Sequence, residues 1–180
     1  MKLTSLDLEL NKPSGKIVQI GAVIGDTLTG EITHRLNIYV NPNEQVSDYI
    51  QQLCGISQKD VDNGFSLNDA YVLLKDFHRK YSDFMNPLTW GGDDGRELKE
   101  QLDDDAKKNW CFGERCIDAK TICVTHMIHT KNKIVKSSLS QSMKRFGLSF
   151  SGREHNALDD AENTFKIYHH MLYLLRHKEF

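Results

Sequence analysis

The sequence predicts an α/β layer domain, with strands first, helices later and one mixed sheet between them. Three observations carry this. Three strand-like stretches, the second rich in β-branched residues, fill residues 3–40 with only short turn signals between them. From residue 46 onward apolar residues recur at helical spacing, and the longest such stripe, residues 156–177, closes the sequence. The length of 180 residues fits one domain, expected to span 1–180; a domain of this size buries roughly 70% of its unfolded surface.

Each element has a local reason. LTSLDLEL, residues 3–10, reads as a strand that ends at the Pro-Gly break of residues 11–15. KIVQIGAVIG (16–25), a turn at 26–30 and EITHRLNIYV (31–40) complete an antiparallel meander, which Asn41-Pro42 ends. VSDYIQQLCGI places Val46, Tyr49 or Ile50, and Leu53 on a helix that stops at Gly55, and a second short helix is expected at 57–63. Ser66 opens a longer helix in a capping-box variant where Asp69 replaces Glu, with Ala70, Leu73, Leu74, Phe77 and Tyr81 on one face. Residues 86–90 form a short strand running into Gly91-Gly92, and a helix bearing Leu98 and Leu102 follows. Residues 115–119 make the last strand, and Ser137 or Ser138 caps a helix through Met143 and Phe146 to Gly147. The final helix buries Leu158, Ala161, Phe165, Tyr168, Leu172 and Leu175.

Bulk properties narrow the function classes. A net charge of −2 gives no global basic field, although one local groove of Lys and Arg is enough for nucleic acid. Cys54, Cys111, Cys116 and Cys123 lack both CxxC pairing and zinc-like spacing, which suits idle thiols in a reducing compartment. No apolar run is long enough to span a membrane. With a strand starting near Leu3 no signal peptide is expected, so the expected location is cytoplasmic.

The first strand poses a physical problem. Asp7 and Glu9 point to the same face, where they repel each other and lose hydration if buried. Two other segments offer partners: TWGGDDGREL brings Asp93 and Asp94 to the start of a helix, and GREHNALDDA places His155 five residues before Asp160. Asp94 falls in phase with Leu98, Gln101 and Leu102, so it is carried inward, whereas Asp93 falls with Glu97 and Glu100 and suits an N-cap. Gathered in space, Asp7, Glu9, Asp94 and Asp160 require divalent cations, and an all-oxygen set suits Mg²⁺ or Mn²⁺. Two such ions about 3.5–4 Å apart form a clamp for displacement at phosphorus. Taken singly, each segment has a plainer reading, as a solvated strand face or as first-turn acids favoured by the helix dipole. Their joint order decides against that.

LDLEL with IVQIGAV, WGGDDGREL and EHNALDDA resemble the three motifs of the DEDDh (DnaQ-like) 3′–5′ exonucleases of the ribonuclease-H-like superfamily. LCGISQKDVDNG and the run from Ser138 to Ala161 resemble most the branch that includes KapD and the histone-mRNA 3′ exonuclease. Leu8 and Leu10 depart from the Thr and Gly common in proofreading subunits. The resemblance implies a three-layer fold with a mixed five- or six-stranded sheet. It further implies that Asp7, Glu9, Asp94 and Asp160 hold two Mg²⁺ or Mn²⁺ ions while His155 takes a proton from the attacking water. The expected substrate is the 3′ end of single-stranded RNA or DNA, RNA slightly favoured, with nucleoside 5′-monophosphates released. Leu8, Leu10, Ile17, Gln19 and Trp90 are the implied substrate-binding residues, core packing being an equal reading for Ile17 and Trp90. Alternatives are a DNA-directed exonuclease and a non-catalytic nucleic-acid-binding module.

Remaining features read as surface. His126, His129, His169 and His170 are expected in solvent, and Asp103-Asp104-Asp105 in a solvated turn. Lys131, Lys133, Lys136, Lys144, Arg145 and Arg153 are candidates for a phosphate-tracking patch, with scattered surface charge the equal alternative.

Overall fold

The computed structural model describes residues 1–131 and 137–177. Its framework is one mixed sheet in the order β3-β2-β1-β4-β5, formed by β1 (Lys2–Leu10), β2 (Ile17–Asp26), β3 (Ile32–Tyr39), β4 (Leu88–Thr89) and β5 (Ile117–Asp118). The meander is antiparallel, while β4 pairs parallel to β1, and β5 parallel to β4. Eight helices lie among the described residues: α1 (Asp48–Cys54), α2 (Gln58–Asp62), α3 (Leu67–Tyr81), α4 (Asp94–Gln101), α5 (Asp104–Lys108), α6 (Ala119–Lys131), α7 (Leu139–Arg145) and α8 (Ala157–Arg176). None is long and apolar enough to cross a membrane.

The period-2 alternation of β1 sorts the layers. Leu6 and Leu8 pack with Ala70, Tyr71 and Leu74 of α3 and Leu98 of α4. From the other face Leu3 meets Phe165 and Tyr168 of α8. Helices α6 and α7 cover the back of α8 through Cys123, Leu139, Met143, Ile167 and Met171. A register shift between Glu9 and Leu10 pairs Leu10 with Ile17, so Ile17 turns toward the α3–α4 core and Val18 toward α1 and α2.

Serines start the helices where expected. Ser57 and Ser138 each complete a reciprocal capping box, with Asp60 and Gln141. Ser66 caps α3 by accepting from Asp69 N–H, while the Asp69 carboxylate takes the Ser66 hydroxyl proton instead of the backbone N–H.

Several expectations fail. The buried face of α3 runs through Tyr71 and His78, and Leu73 is exposed. Leu175 stands 48% exposed, although the next residue, Arg176, still reaches Thr27 O just past the end of β2. Asp103 accepts from Ala106 N–H and thereby starts α5, so the acidic run is a capped helix start and not a plain turn. Helix α6 was not anticipated. His126 is buried on it against Phe146, contrary to its expected surface place. His169 stacks on Phe165, also away from open solvent. Lys133, Lys136 and the side chain of Lys131 lie outside the described residues.

Candidate active site

Asp7 and Glu9 pair across the ladder with Gly21 and Gln19, so both carboxyls stand on the sheet face that α8 covers. The first turn of α8 delivers Asp160, and α4 begins at Asp94 just past the carboxyl end of β4. His155 sits outside the helix in the left-handed region (φ 62), and its N–H donates to Asp160 Oδ2 over 3.1 Å. Donor atoms of Glu9, His155 and Asp160 all lie within 4.8 Å of one another.

Electrostatics mark the same place. Burial, then the carboxylates of Asp94, Asp160 and Glu9, hold the Asp7 carboxyl well above its ordinary value. Burial pushes Asp94 up to about 7, with Asp93 and Glu9 adding repulsion and the Leu8 backbone N–H opposing it. Asp160 also rises to about 7, chiefly through burial, against the pull of the His155 N–H. Glu9 is raised by burial and by Asp160, while a hydrogen bond from Cys54 and the nearby His155 lower it. Four carboxyls that resist ionisation side by side are a set of hard oxygen donors, and a divalent cation suits them.

A protein-family model described as Exonuclease (RNase_T) matches residues 3–168. The chain belongs to that exonuclease family. It is 28% identical over 174 residues to the mouse (Mus musculus) protein named ERI1 exoribonuclease 2, covering 84% of this chain and 24% of that one. It is 24% identical over 180 residues to the probable 3′-5′ exonuclease KapD of Bacillus subtilis, covering 92% and 82%. Among solved structures, the nuclease domain of 3′hExo, described as a DEDDh family member bound to rAMP, superposes with a TM-score of 0.73 at 21% identity, covering 96% of this chain and 92% of that one. The chain therefore spans about a quarter of the length of the mouse relative. Its fold is the ribonuclease-H-like one of that DEDDh nuclease domain.

The implied substrate-binding residues divide. Gln19 is fully buried, donating to Asn37 Oδ1 and accepting the Ala157 N–H at 3.1 Å. It holds down the start of α8 and has no surface to offer a nucleotide. Ile17 and Leu8 are buried in the α3–α4 core. Leu10 and Trp90 remain partly exposed, although Trp90 also packs against the core groups under α6 and α8. Asp93 occupies the N-cap position of α4 as expected, but its exposed side chain makes no cap hydrogen bond and forms instead a 2.9 Å ion pair with Arg96.

Sequence reasoning missed the scaffolding. Cys54 donates its thiol proton to Glu9 Oε2 over 3.1 Å. Asp118 accepts the Gly91 N–H over 3.0 Å, fixing the turn ahead of Asp94. Asn163 donates to Ser151 O and accepts the Ser151 N–H, tying the His155 loop to α8. None carries a motif, since each partner is brought in by folding.

Proposed function

We propose that this chain is a divalent-metal-dependent 3′–5′ exonuclease that removes nucleoside 5′-monophosphates from the 3′ end of single-stranded nucleic acid, with RNA favoured over DNA. The convergence of Glu9, His155 and Asp160 within 4.8 Å, beside Asp7 and Asp94, carries this reading. Asp7, Glu9, Asp94 and Asp160 would hold two ions, Mg²⁺ or Mn²⁺, which oxygen donors suit. When bound, such ions neutralise the carboxylates and stabilise charge on the attacking and leaving oxygens. His155, exposed at the rim, accepts the proton of the incoming water as general base. Leu10 and Trp90 are the residues of the proposed substrate set with surface left to meet the terminal nucleotide.

The name of the mouse relative, an exoribonuclease, and the rAMP in the 3′hExo structure support RNA. A DNA-directed exonuclease is the second reading. A non-catalytic binding module has no use for four carboxyls held above their ordinary range. The family match over residues 3–168 supports one exonuclease domain across 1–180, and four free thiols suit the cytoplasm. The deciding experiment digests matched 3′-labelled and 5′-labelled RNA and DNA oligomers with Mg²⁺, Mn²⁺ or EDTA. Mononucleotides from the 3′ end, faster for RNA and none in EDTA, are expected; activity in excess chelator overturns the metal reading, and faster DNA digestion reverses the substrate order.

A further inference from the structure

The loop that presents His155 is exposed from Ser151 to His155, and most of its anchors belong to the helix that follows it. Arg153 N–H donates to Asp159 Oδ2 over 2.8 Å, His155 N–H to Asp160 Oδ2, and Asn163 holds Ser151. These bonds fix the loop relative to α8. The start of α8 is in turn held to β2 by the Ala157 N–H bond to Gln19, the ladder partner of Glu9, but none of these bonds reaches α1, whose Cys54 holds the Glu9 carboxylate.

Arg153 makes the link to α1. Its Nη2 donates to Gln52 O at 2.7 Å and to Leu53 O at 3.2 Å, about a hundred residues away in sequence (|i−j| 101 and 100). These are carbonyls of the last turn of α1, left without helical partners and at the negative end of its dipole, where an arginine is favoured. The next residue, Cys54, grips Glu9, and Gly55 ends the helix at φ 74. The fit at Gly55 is close, since a Cβ there would lie 1.9 Å from Arg153 Nη1. One turn of α1 therefore grips a metal-binding carboxylate with one residue and the His155 loop with its neighbours.

We propose that Arg153 is a positioning residue that acts through His155, setting the imidazole over Glu9 and Asp160, and that it is not part of a phosphate-tracking patch. The proposal rests on the reading of His155 as the base. Its guanidinium is directed at protein carbonyls, so its loss should show in turnover and not in substrate binding.

The experiment measures kcat and KM on a single-stranded oligomer with saturating Mg²⁺, together with thermal melting, for Arg153→Ala, Arg153→Lys, Gly55→Ala, His155→Ala and the Arg153→Ala/His155→Ala double variant. Misplacing a reacting group by about 1 Å costs on the order of 10²-fold, so Arg153→Ala is expected to lose roughly 10- to 100-fold in kcat. KM should stay within about 3-fold, in line with an interaction outside substrate binding. Arg153→Lys should recover part of the loss, since an ammonium can still donate to one carbonyl. Gly55→Ala, which displaces the same guanidinium, should reproduce it. In the His155→Ala background, removing Arg153 should cost nothing further. A raised KM with unchanged kcat, a salt dependence shallower by one phosphate contact, or losses that multiply in the double variant would overturn the proposal in favour of a phosphate contact. Wild-type turnover for His155→Ala removes the base and this inference together, whereas a dead His155→Ala beside a fully active Arg153→Ala overturns the inference alone.

Discussion

The thiol of Cys54 donates to Glu9 Oε2 across 3.1 Å, joining the end of α1 to the carboxylate in the middle of the site. Burial and the adjacent Glu9 hold that thiol far above its ordinary range, so it stays protonated and serves as a donor. Groups that orient a ligand in this way typically change metal affinity or activity about 10- to 100-fold when removed. Cys54→Ala removes the donor without adding bulk to this buried position. The expected result is a higher Mn²⁺ concentration for half-maximal activity, by roughly that factor, with an unchanged fold. Cys54→Ser, which keeps a donor, should stay near wild type. Equal metal curves for all three proteins would show that the contact does not orient Glu9.

Asp94 makes the metal-free protein lose stability as pH rises from about 4 to about 7. Its folded-state value of about 7 lies above the ordinary 3.8, so between these values the folded state binds the extra proton. That contribution is complete below about pH 4 and is lost as pH rises through about 7. Asp94→Asn lacks the titration. In EDTA, its melting temperature relative to wild type should climb between pH 4 and pH 8, while its turnover with Mg²⁺ is abolished. Saturating Mg²⁺ should close or reverse the gap at pH 8, because ions bind the folded wild type. A gap independent of pH would mean that Asp94 is ionised throughout.

Asp93 should behave differently. Its side chain is 77% exposed and pairs with a similarly exposed Arg96, without a cap hydrogen bond. Exposed pairs contribute about 0–1 kcal/mol, less than the ~1 kcal/mol typical of an N-cap. Asp93→Ala is expected to change stability by no more than about 0.5 kcal/mol, the usual range for surface changes, and to keep its activity. A loss above 1 kcal/mol in urea titrations would restore the capping role.

Elements whose signals are local could be read from the sequence: the meander from alternation and turn residues, α2 and α7 from Ser57 and Ser138, and the inward phase of Asp94 from Leu98. Helix α6 could not. AKTICVTHMIHTK is rich in β-branched residues, which disfavour helix, and its helical state follows from Cys123 and Met127 being buried by the packing of the fold. His126 went astray with it. The motif carboxylates announced themselves by spacing, whereas Cys54, Arg153 and Gln19 each act on a residue at least 45 positions away and leave no local pattern. The register shift that turns Ile17 inward is likewise a property of two paired strands and of neither one alone.

Gly21 gives the strongest prediction about the fold beneath the site. It pairs with Asp7 on the face that receives the start of α8. A Cβ added there would lie 2.0 Å from Ala157 C and 2.2 Å from Ala157 O and Leu158 N, all backbone atoms. None of these can swing away as a side-chain tip would. Ala157 is further held by its N–H bond to the buried Gln19, and Asn156 caps the same turn by accepting from Asp159 N–H. Gly21→Ala must therefore lift the first turn of α8 from the sheet and carry Asp160 and His155 with it. Overpacking usually costs about 1–3 kcal/mol, and a clash with immovable backbone belongs at or above the top of that range. Gly15→Ala is the control: Gly15 has φ 77 but nothing within 4 Å of its Cβ position, so only the left-handed strain of roughly 1–2 kcal/mol remains. Urea unfolding should show the larger loss for Gly21→Ala, and turnover should fall with it, whereas Gly15→Ala should keep its turnover once folded. Equal stability losses would mean that α8 starts farther from β2 than the close approach at Gly21 requires.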